Sequence, residues 1–326
     1  MRVLIKGAGI IGLSIGWRLQ REGFDVQIFD RGKAGRGASW AAAGMLGPYA
    51  EAHFEDEELV RLSESSLALY PLFLKDLSED AGVSLGFESQ GTLIVGIDRD
   101  DRAFLERLFL DKQKRNFPVS WIDPDKAREI EPLLTSRVTS AIWLPTEWQI
   151  DNRRLIAALI AAFRKQGGEL FEESSFPEGS DLVVNASGAV ADPRIRPNKG
   201  QILTLEAKPP LSLSRVIRSP RVYLVPKSDG TVRVGATSEE VGFDLDITAG
   251  KIRELLNAAE EIVPAVEEMA FKEALAAFRP ATVDRFPLIE EKENTILAAG
   301  HGRAGILLAP YTAQAVVDLI RSCKKR

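Results

Sequence analysis

An α/β fold, with a nucleotide-binding unit threaded through a second, β-rich part that carries helices of its own, is predicted by three observations. A short apolar strand, Val3-Leu4-Ile5, runs into Gly7-Ala8-Gly9-Ile10-Ile11-Gly12 and then into residues with helical spacing, the order of a parallel βαβ unit. Strand-like stretches dominate between Gln201 and Ala236, whereas alternation of strand and helix returns near Asp151 and again after Thr295. At 326 residues and 45% hydrophobic content, the chain can bury a large core as one big domain or two interleaved ones.

In chain order, the first helix runs from Ile11 to Arg21 and stops at Gly23, and Val26 to Phe29 is the second strand. From Gly32 to Met45 nearly every residue is small, so backbone must approach something closely there. Glu55 to Ala81 is a long amphipathic helix, Gly91 to Ile97 a buried strand and Asp101 to Arg115 a charged surface helix. Asp151 suits the N-cap of a helix from Arg153 to Gln166, closed by Gly167-Gly168. Asp181 to Gly188 reads as strand then turn. Gln201 to Glu206, Val222 to Val225 and Thr231 to Ala236 read as strands, with a turn at Ser228-Asp229-Gly230. Thr248 to Ile262 is helical, Thr295 to Ala299 a strand, and Gly305 to Ser322 a last helix with Pro310 in its first turns. No repeat or low-complexity segment interrupts this order.

Composition narrows the function. The 42 basic and 47 acidic residues, net -5, are interspersed along the chain, so no basic stripe invites nucleic acid. No apolar run approaches the length of a membrane span, and the first strand begins too early for a signal peptide, so a cytoplasmic protein is expected. With Cys323 as the only cysteine and His53 and His301 the only histidines, no metal site is expected. These three residues also form no visible nucleophile, base and acid set.

The glycine turn carries the first chemistry. Gly7 permits the tight bend, Gly9 lets backbone approach a pyrophosphate, and Gly12 lets the helix pack on the strand. Asp30, at the end of the second strand, is placed to accept hydrogen bonds from ribose hydroxyls. This Rossmann-like unit alone admits NAD or FAD. Three later segments favour FAD. Ala41-Ala42-Ala43-Gly44-Met45 offers backbone with hardly any side chain, suited to a broad planar ring, unless it is an ordinary flexible loop. Val183 to Gly188 ends in small residues at the carboxyl end of a parallel strand, where ligands bind, though an ordinary core strand would look the same. Gly300 to Ile306 precedes the last helix, whose free backbone N–H groups could hold negative charge developing on a reduced flavin; a glycine-capped helix start is the alternative.

Taken together, these segments resemble the flavoprotein amino acid oxidases of the D-amino acid oxidase superfamily, and within it the glycine oxidase branch linked to thiamine biosynthesis. The resemblance rests on Gly7 to Gly12 with Asp30 and Arg31, Ala38-Ser39-Trp40 through Leu46, Asp151 to Leu155, and Val183 to Gly188. It continues through Gly200-Gln201, Tyr223 to Pro226, Val234 to Thr237, Phe278 to Thr282 with Asp284 and Pro287, and Gly300 to Pro310. Two departures stand out: only Pro177 to Ser180 remain between Phe176 and Asp181, where the family usually inserts a small β-meander, and Glu290 replaces a common glycine. The first is expected to leave the adenosine end more open.

The resemblance implies a FAD-binding domain made of residues 1–85, 146–198 and 280–326, interleaved with a substrate-binding domain of residues 86–145 and 199–279. It implies cofactor contacts from Gly7, Gly9, Ile10, Ile11, Gly12, Asp30 and Arg31; from Ala38, Ser39, Ala43, Gly44, Met45, Phe176 and Gly188; and from His301, Gly302, Arg303, Ala304, Gly305, Ile306 and Leu307. Arg279 would bind a substrate carboxylate with Tyr223 donating to it and Arg303 near the amine. From residue type alone, Arg279 could instead join a surface or domain-bridging ion pair, and Tyr223 could be a core tyrosine. The implied reaction is hydride transfer from the α-carbon of glycine or another small amine to FAD. The resulting imine is hydrolysed to an oxo acid and ammonia, and O2 is reduced to H2O2. FAD is expected to be noncovalent, because the glycine-rich segment lacks the cysteine to which related sarcosine oxidases attach it. A homo-oligomer is expected. Alternatives are a D-amino acid or sarcosine oxidoreductase of other substrate size, or a flavin-binding partner or tailoring module.

Overall fold

The computed structural model describes residues 2–51, 57–177 and 182–323. His53 and most of the shortened segment before Asp181 lie outside these described residues, as does the side chain of Cys323. Three sheets organise the chain. The first has six strands in the order Leu288–Lys292, Thr295–Ala299, Leu182–Asn185, Arg2–Lys6, Asp25–Phe29 and Glu169–Phe171, all parallel except the edge pair formed by the first two. Val3 and Ile5 enter the core beneath the helices, and Leu4, on the opposite face, is buried as well. Helix Ile10–Arg21 packs against the last helix, Gly305–Cys323, and against Asn152–Lys165, while the long helix Glu57–Ala81 packs on the same two. As expected, Asp151 caps its helix, accepting the N–H groups of Arg153 and Arg154 at 3.0 Å each.

The second sheet has eight strands, in the order Ala270–Ala281, Arg196–Glu206, Thr231–Gly235, Tyr223–Pro226, Val216–Arg218, Thr92–Gly96, Ser140–Leu144 and Ser120–Ile122. Period-two alternation divides its two faces. Leu203, Leu205, Leu224, Val232 and Val234 point into a core closed by Leu255, Ala259 and Ile262 of helix Ala249–Ile262. Asn198, Gly200, Ile202 and Tyr223 therefore fall on the opposite face, toward a cavity. A small third sheet joins Met45–Leu46, Trp148–Ile150 and Phe87–Glu88, tying the small-residue segment to the body of the protein.

The twelve-residue strand Ala270–Ala281 is not foreseen from sequence. Its alanine, glutamate and lysine content favours helix, and Pro280 disfavours a central strand. The strand lies at the sheet edge and its one partner strand is Arg196–Glu206, with a single bridge from Ala281 to His301 at its end, so Pro280 is tolerated there. Pro310 stands sixth in its helix, in the first turns as expected, but the absence of its N–H is felt there. Its missing N–H leaves the Ile306 carbonyl unpaired within the helix, and the buried Tyr70 hydroxyl donates to that carbonyl instead. One residue on, the Ser66 hydroxyl stands between the Leu307 carbonyl, to which it donates, and the Tyr311 N–H, which it accepts. The long helix thus repairs the ladder of the last one and fixes where its N-terminus lies.

Candidate active site

A cavity of about 1230 Å³ lies between the carboxyl ends of the parallel strands and the inner face of the eight-stranded sheet. Sites for single small ligands occupy about 300–1000 Å³, so this one has room for a dinucleotide together with a small substrate.

At one end stands the glycine turn. Gly7 has φ 105°, and a methyl group on Gly12 would come within 1.9 Å of the Gly7 carbonyl oxygen, so the helix starts directly against the bend. Gly12 is therefore a packing residue behind the turn and is not among the residues that line the cavity. Gly7, Gly9, Ile10, Ile11, Asp30 and Arg31 do line it. Gly9 caps the helix without a side chain, which leaves the positive helix end facing the cavity. Asp30 holds the turn in shape: its Oδ2 accepts the Ala8 N–H at 2.7 Å and its Oδ1 the Gly32 N–H at 2.9 Å. Its remaining lone pairs suit ribose hydroxyls.

Along the wall come Ala38, Ser39, Phe176 and Gly188. The Ser39 hydroxyl accepts the Ile10 N–H at 2.9 Å, so this side chain organises the turn as well as lining the site. Phe176 packs edge-on against Phe29 with centroids 5.6 Å apart. Ala43, Gly44 and Met45 follow. Glycine at 44 has a different reason from the one expected. It has φ 78°, and a methyl group there would meet the Ile150 carbonyl oxygen behind the wall at 2.0 Å. Packing behind the segment, rather than access from the cavity, requires it.

Buried Lys227, which sequence reasoning missed, pins this same segment. Its Nζ donates to the carbonyls of Ala43 at 2.5 Å and Ile150 at 3.0 Å. Burial pushes its ammonium down from 10.5 to about 8. Because the folded value lies below the unfolded one, the unfolded chain holds a proton that the folded chain lacks between about pH 8 and 10.4, and stability from this residue rises with pH there. Lys112, also buried and held down to about 8, adds a rise of the same sign. In urea titrations from pH 7.5 to 10, the stability gap between wild type and Lys227→Met is expected to widen by up to about 1.4 kcal/mol per pH unit. A constant gap would show that Lys227 does not titrate in that range.

The start of the last helix closes another side of the cavity with His301, Gly302, Arg303, Ala304, Gly305, Ile306 and Leu307. The first-turn N–H groups of Gly305, Ile306 and Leu307 have no place in the helix ladder and supply a second positive helix end. His301 is buried, its Nε2 lies 2.8 Å from the Thr312 Oγ1, and burial holds its imidazolium down to about 3. It is neutral at neutral pH and packs this segment.

At the far end Arg279 and Tyr223 meet. Each lies over a glycine on the neighbouring strand: a methyl group on Gly200 would come within 2.6 Å of both terminal nitrogens of Arg279, and one on Gly235 within 2.6 Å of the Tyr223 hydroxyl. The Arg279 Nη1 donates to the Asn198 Oδ1 at 3.2 Å and the Thr237 carbonyl at 2.9 Å. No carboxylate among the described residues lies within ion-pair distance of it. Burial keeps the Tyr223 phenol above its ordinary pKa despite the adjacent Arg279, so it stays a hydrogen-bond donor.

Two further residues here were not foreseen. Arg218, opposite Tyr223 in the strand pairing, donates to the carboxylate of Glu51, whose other oxygen lies 3.6 Å from the Arg303 Nε. Burial alone would raise the Glu51 carboxyl, but Arg218 and Arg303, with Arg279 beyond, outweigh it and hold it at about 2. Arg218 and Glu51 are 167 positions apart, so no local pattern could reveal the pair.

The residues present fit FAD. Two helix N-termini and an acid suited to ribose face one cavity with a wall of small residues. Comparisons with known proteins agree. A family model for FAD-dependent oxidoreductases, DAO, matches residues 2–319. The glycine oxidase of Geobacillus kaustophilus is 33% identical over 348 residues, covering 98% of this chain and 92% of that protein. A Rhizobium etli protein named as a thiamine biosynthesis oxidoreductase, ThiO, is 33% identical over 325 residues, covering 96% and 94%. The crystal structure of glycine oxidase from Geobacillus kaustophilus superposes with a TM-score of 0.90 over 98% of this chain and 95% of that one, at 33% identity. With a family match running through nearly its whole length, the chain belongs to the DAO family of FAD-dependent oxidoreductases.

Proposed function

We propose that the protein is an FAD-dependent oxidase of glycine and other small amino acids or amines, with a role in thiamine biosynthesis. The observation that carries the proposal is the pairing of the Arg279 guanidinium with the Tyr223 hydroxyl, each seated over a glycine at the end of the FAD cavity. A planar guanidinium binds a carboxylate through two parallel hydrogen bonds and so fixes the orientation of the α-carbon. Tyr223, kept protonated, donates to the same carboxylate. The Ala43-to-Met45 segment, tied down by Lys227, packs on the same sheet face as Tyr223 and lines the cavity beside it. When bound, FAD accepts hydride from the α-carbon, leaving an imine for water to hydrolyse, and O2 takes up the electrons to give H2O2.

Supporting the substrate class are relatives named as glycine oxidases, and supporting the pathway is the relative named for thiamine biosynthesis. A peroxide-coupled assay over glycine, sarcosine, D-alanine and D-proline tests the activity; a flavin reduced by none of them would sink it. Precipitation with acid is expected to release yellow FAD into the supernatant, and colour kept in the pellet would show a covalent link.

We further assign residues 1–85, 146–198 and 280–326 to FAD binding and residues 86–145 and 199–279 to substrate binding, in a cytoplasmic homo-oligomer that engages neither nucleic acid nor membrane. The separate six- and eight-stranded sheets support the division, and the interspersed charges support the absence of a polyanionic partner. Among the described residues no helix is long and apolar enough to cross a membrane.

A further inference from the structure

The substrate end holds three guanidiniums with different partners. Arg279 is hydrogen-bonded to an amide oxygen and a backbone carbonyl, and among the described residues no carboxylate stands at contact distance from it. Arg218 and Arg303 share the carboxylate of Glu51, one oxygen facing each. All four side chains line the same cavity. The pair is well shielded: the side chains of Arg218 and Glu51 are 15% and 26% exposed.

The backbone that carries Glu51 is itself held. The buried Glu147 Oε1 accepts the N–H groups of Tyr49 at 2.9 Å and Ala50 at 2.6 Å, directly before Glu51. The Tyr49 hydroxyl donates to Glu64 at 2.7 Å on the long helix. The Met45 sulfur lies 3.5 Å from the Arg218 Nη1, which ties the pair to the small-residue wall.

We propose that Glu51 is a specificity-determining residue: its carboxylate fills, on Arg218 and Arg303, the anion position that the second acid group of a dicarboxylate substrate would need, and so restricts the site to amines bearing one carboxylate. The inference rests on the proposed amino acid oxidase activity, with Arg279 as the place for the first carboxylate. A guanidinium as shielded as that of Arg218 makes a strong charge-assisted site for a carboxylate, the half-exposed Arg303 adds attraction, and a resident carboxylate both occupies the position and repels a second anion. A substrate such as glycine brings nothing to that position and is unaffected by its being filled.

The test uses the holoenzyme of wild type, Glu51→Ala and Glu51→Asp, with glycine and iminodiacetate as substrates. In Glu51→Ala the ratio of kcat/KM for iminodiacetate to that for glycine is expected to rise at least tenfold, mainly through a lower KM for the diacid. In Glu51→Asp, which keeps the charge, the ratio stays within about twofold of wild type. Equal losses for both substrates in Glu51→Ala would assign the residue to support of the fold and overturn the proposal. Acetate and malonate, titrated against the flavin spectrum, read the same position without turnover. Malonate should tighten in Glu51→Ala, and acetate should change little. Should Glu51→Ala fail to retain FAD, wild type decides. Malonate binding it ten times more tightly than acetate would mean the position is open and would overturn the proposal, and malonate binding no better than acetate would support it. A wild type that oxidises no amino acid would count against the oxidase reading, while the acetate and malonate titrations still judge the anion position.

Discussion

Arg279→Ala is expected to lower kcat/KM for glycine by about three orders of magnitude, while FAD content and the melting curve stay close to wild type. Removing one partner of a desolvated charge pair costs about 2–5 kcal/mol, and about 4 kcal/mol corresponds to that fall. The fold should tolerate the change, because Arg279 lies on an edge strand and gives up only two hydrogen bonds, to Asn198 and Thr237. Arg279→Lys should recover part of the loss. A lysine ammonium restores the charge but not the planar fork, and the hollow left by Gly200 is shaped around a guanidinium. Steady-state kinetics on the three proteins check both statements. A full recovery by lysine would mean that charge alone matters at this position, and unchanged kinetics in Arg279→Ala would remove Arg279 from the substrate site.

The second large effect separates two glycines that the six-residue motif Gly7 to Gly12 would treat alike. Gly12→Ala is expected to destabilise the FAD-free protein by about 3 kcal/mol, the upper part of the range for overpacking, since its methyl group would sit 1.9 Å from a backbone oxygen that cannot move aside. Gly9→Ala should leave the FAD-free protein nearly as stable as wild type. Gly9 has φ -75°, open to any residue, and its methyl group would meet only the Ser39 Oγ at 3.4 Å. Because Gly9 lines the cavity, the same methyl group should weaken FAD binding by tenfold or more. Urea denaturation of the FAD-free proteins and fluorescence titration with FAD distinguish the cases. Equal loss of stability in both variants would contradict the division between a wall glycine and a packing glycine.

Much of the nucleotide side was legible because its signals are local. The strand, the glycine turn, the helix and Asp30 follow one another within thirty residues, and each depends chiefly on its neighbours in the chain. Arg279 and Tyr223 were reached through resemblance, since an isolated arginine or tyrosine carries no signature of its own. Lys227, Arg218 and Glu51 stayed hidden. A buried lysine serving two backbone carbonyls looks, in sequence, like any lysine before a turn. The ion pair of Arg218 with Glu51 exists only because a hairpin strand and a distant segment meet. Strand Ala270–Ala281 was missed for a related reason: its helix-favouring residues are overridden by edge pairing with Arg196–Glu206.

The amino-acid sequence by itself determined that this chain makes a parallel βαβ nucleotide site and that the small residues at 32–45 bring backbone into close approach, because glycine and alanine patterns and hydrophobic periodicity act over a few residues. Only the tertiary structure decided what each glycine is for, that Gly12 and Gly44 admit backbone behind the wall while Gly200 and Gly235 admit the side chains of Arg279 and Tyr223. It also decided which charges face one another across the cavity. Contacts of that kind depend on where segments far apart in the chain come to rest, and no local pattern encodes that distance.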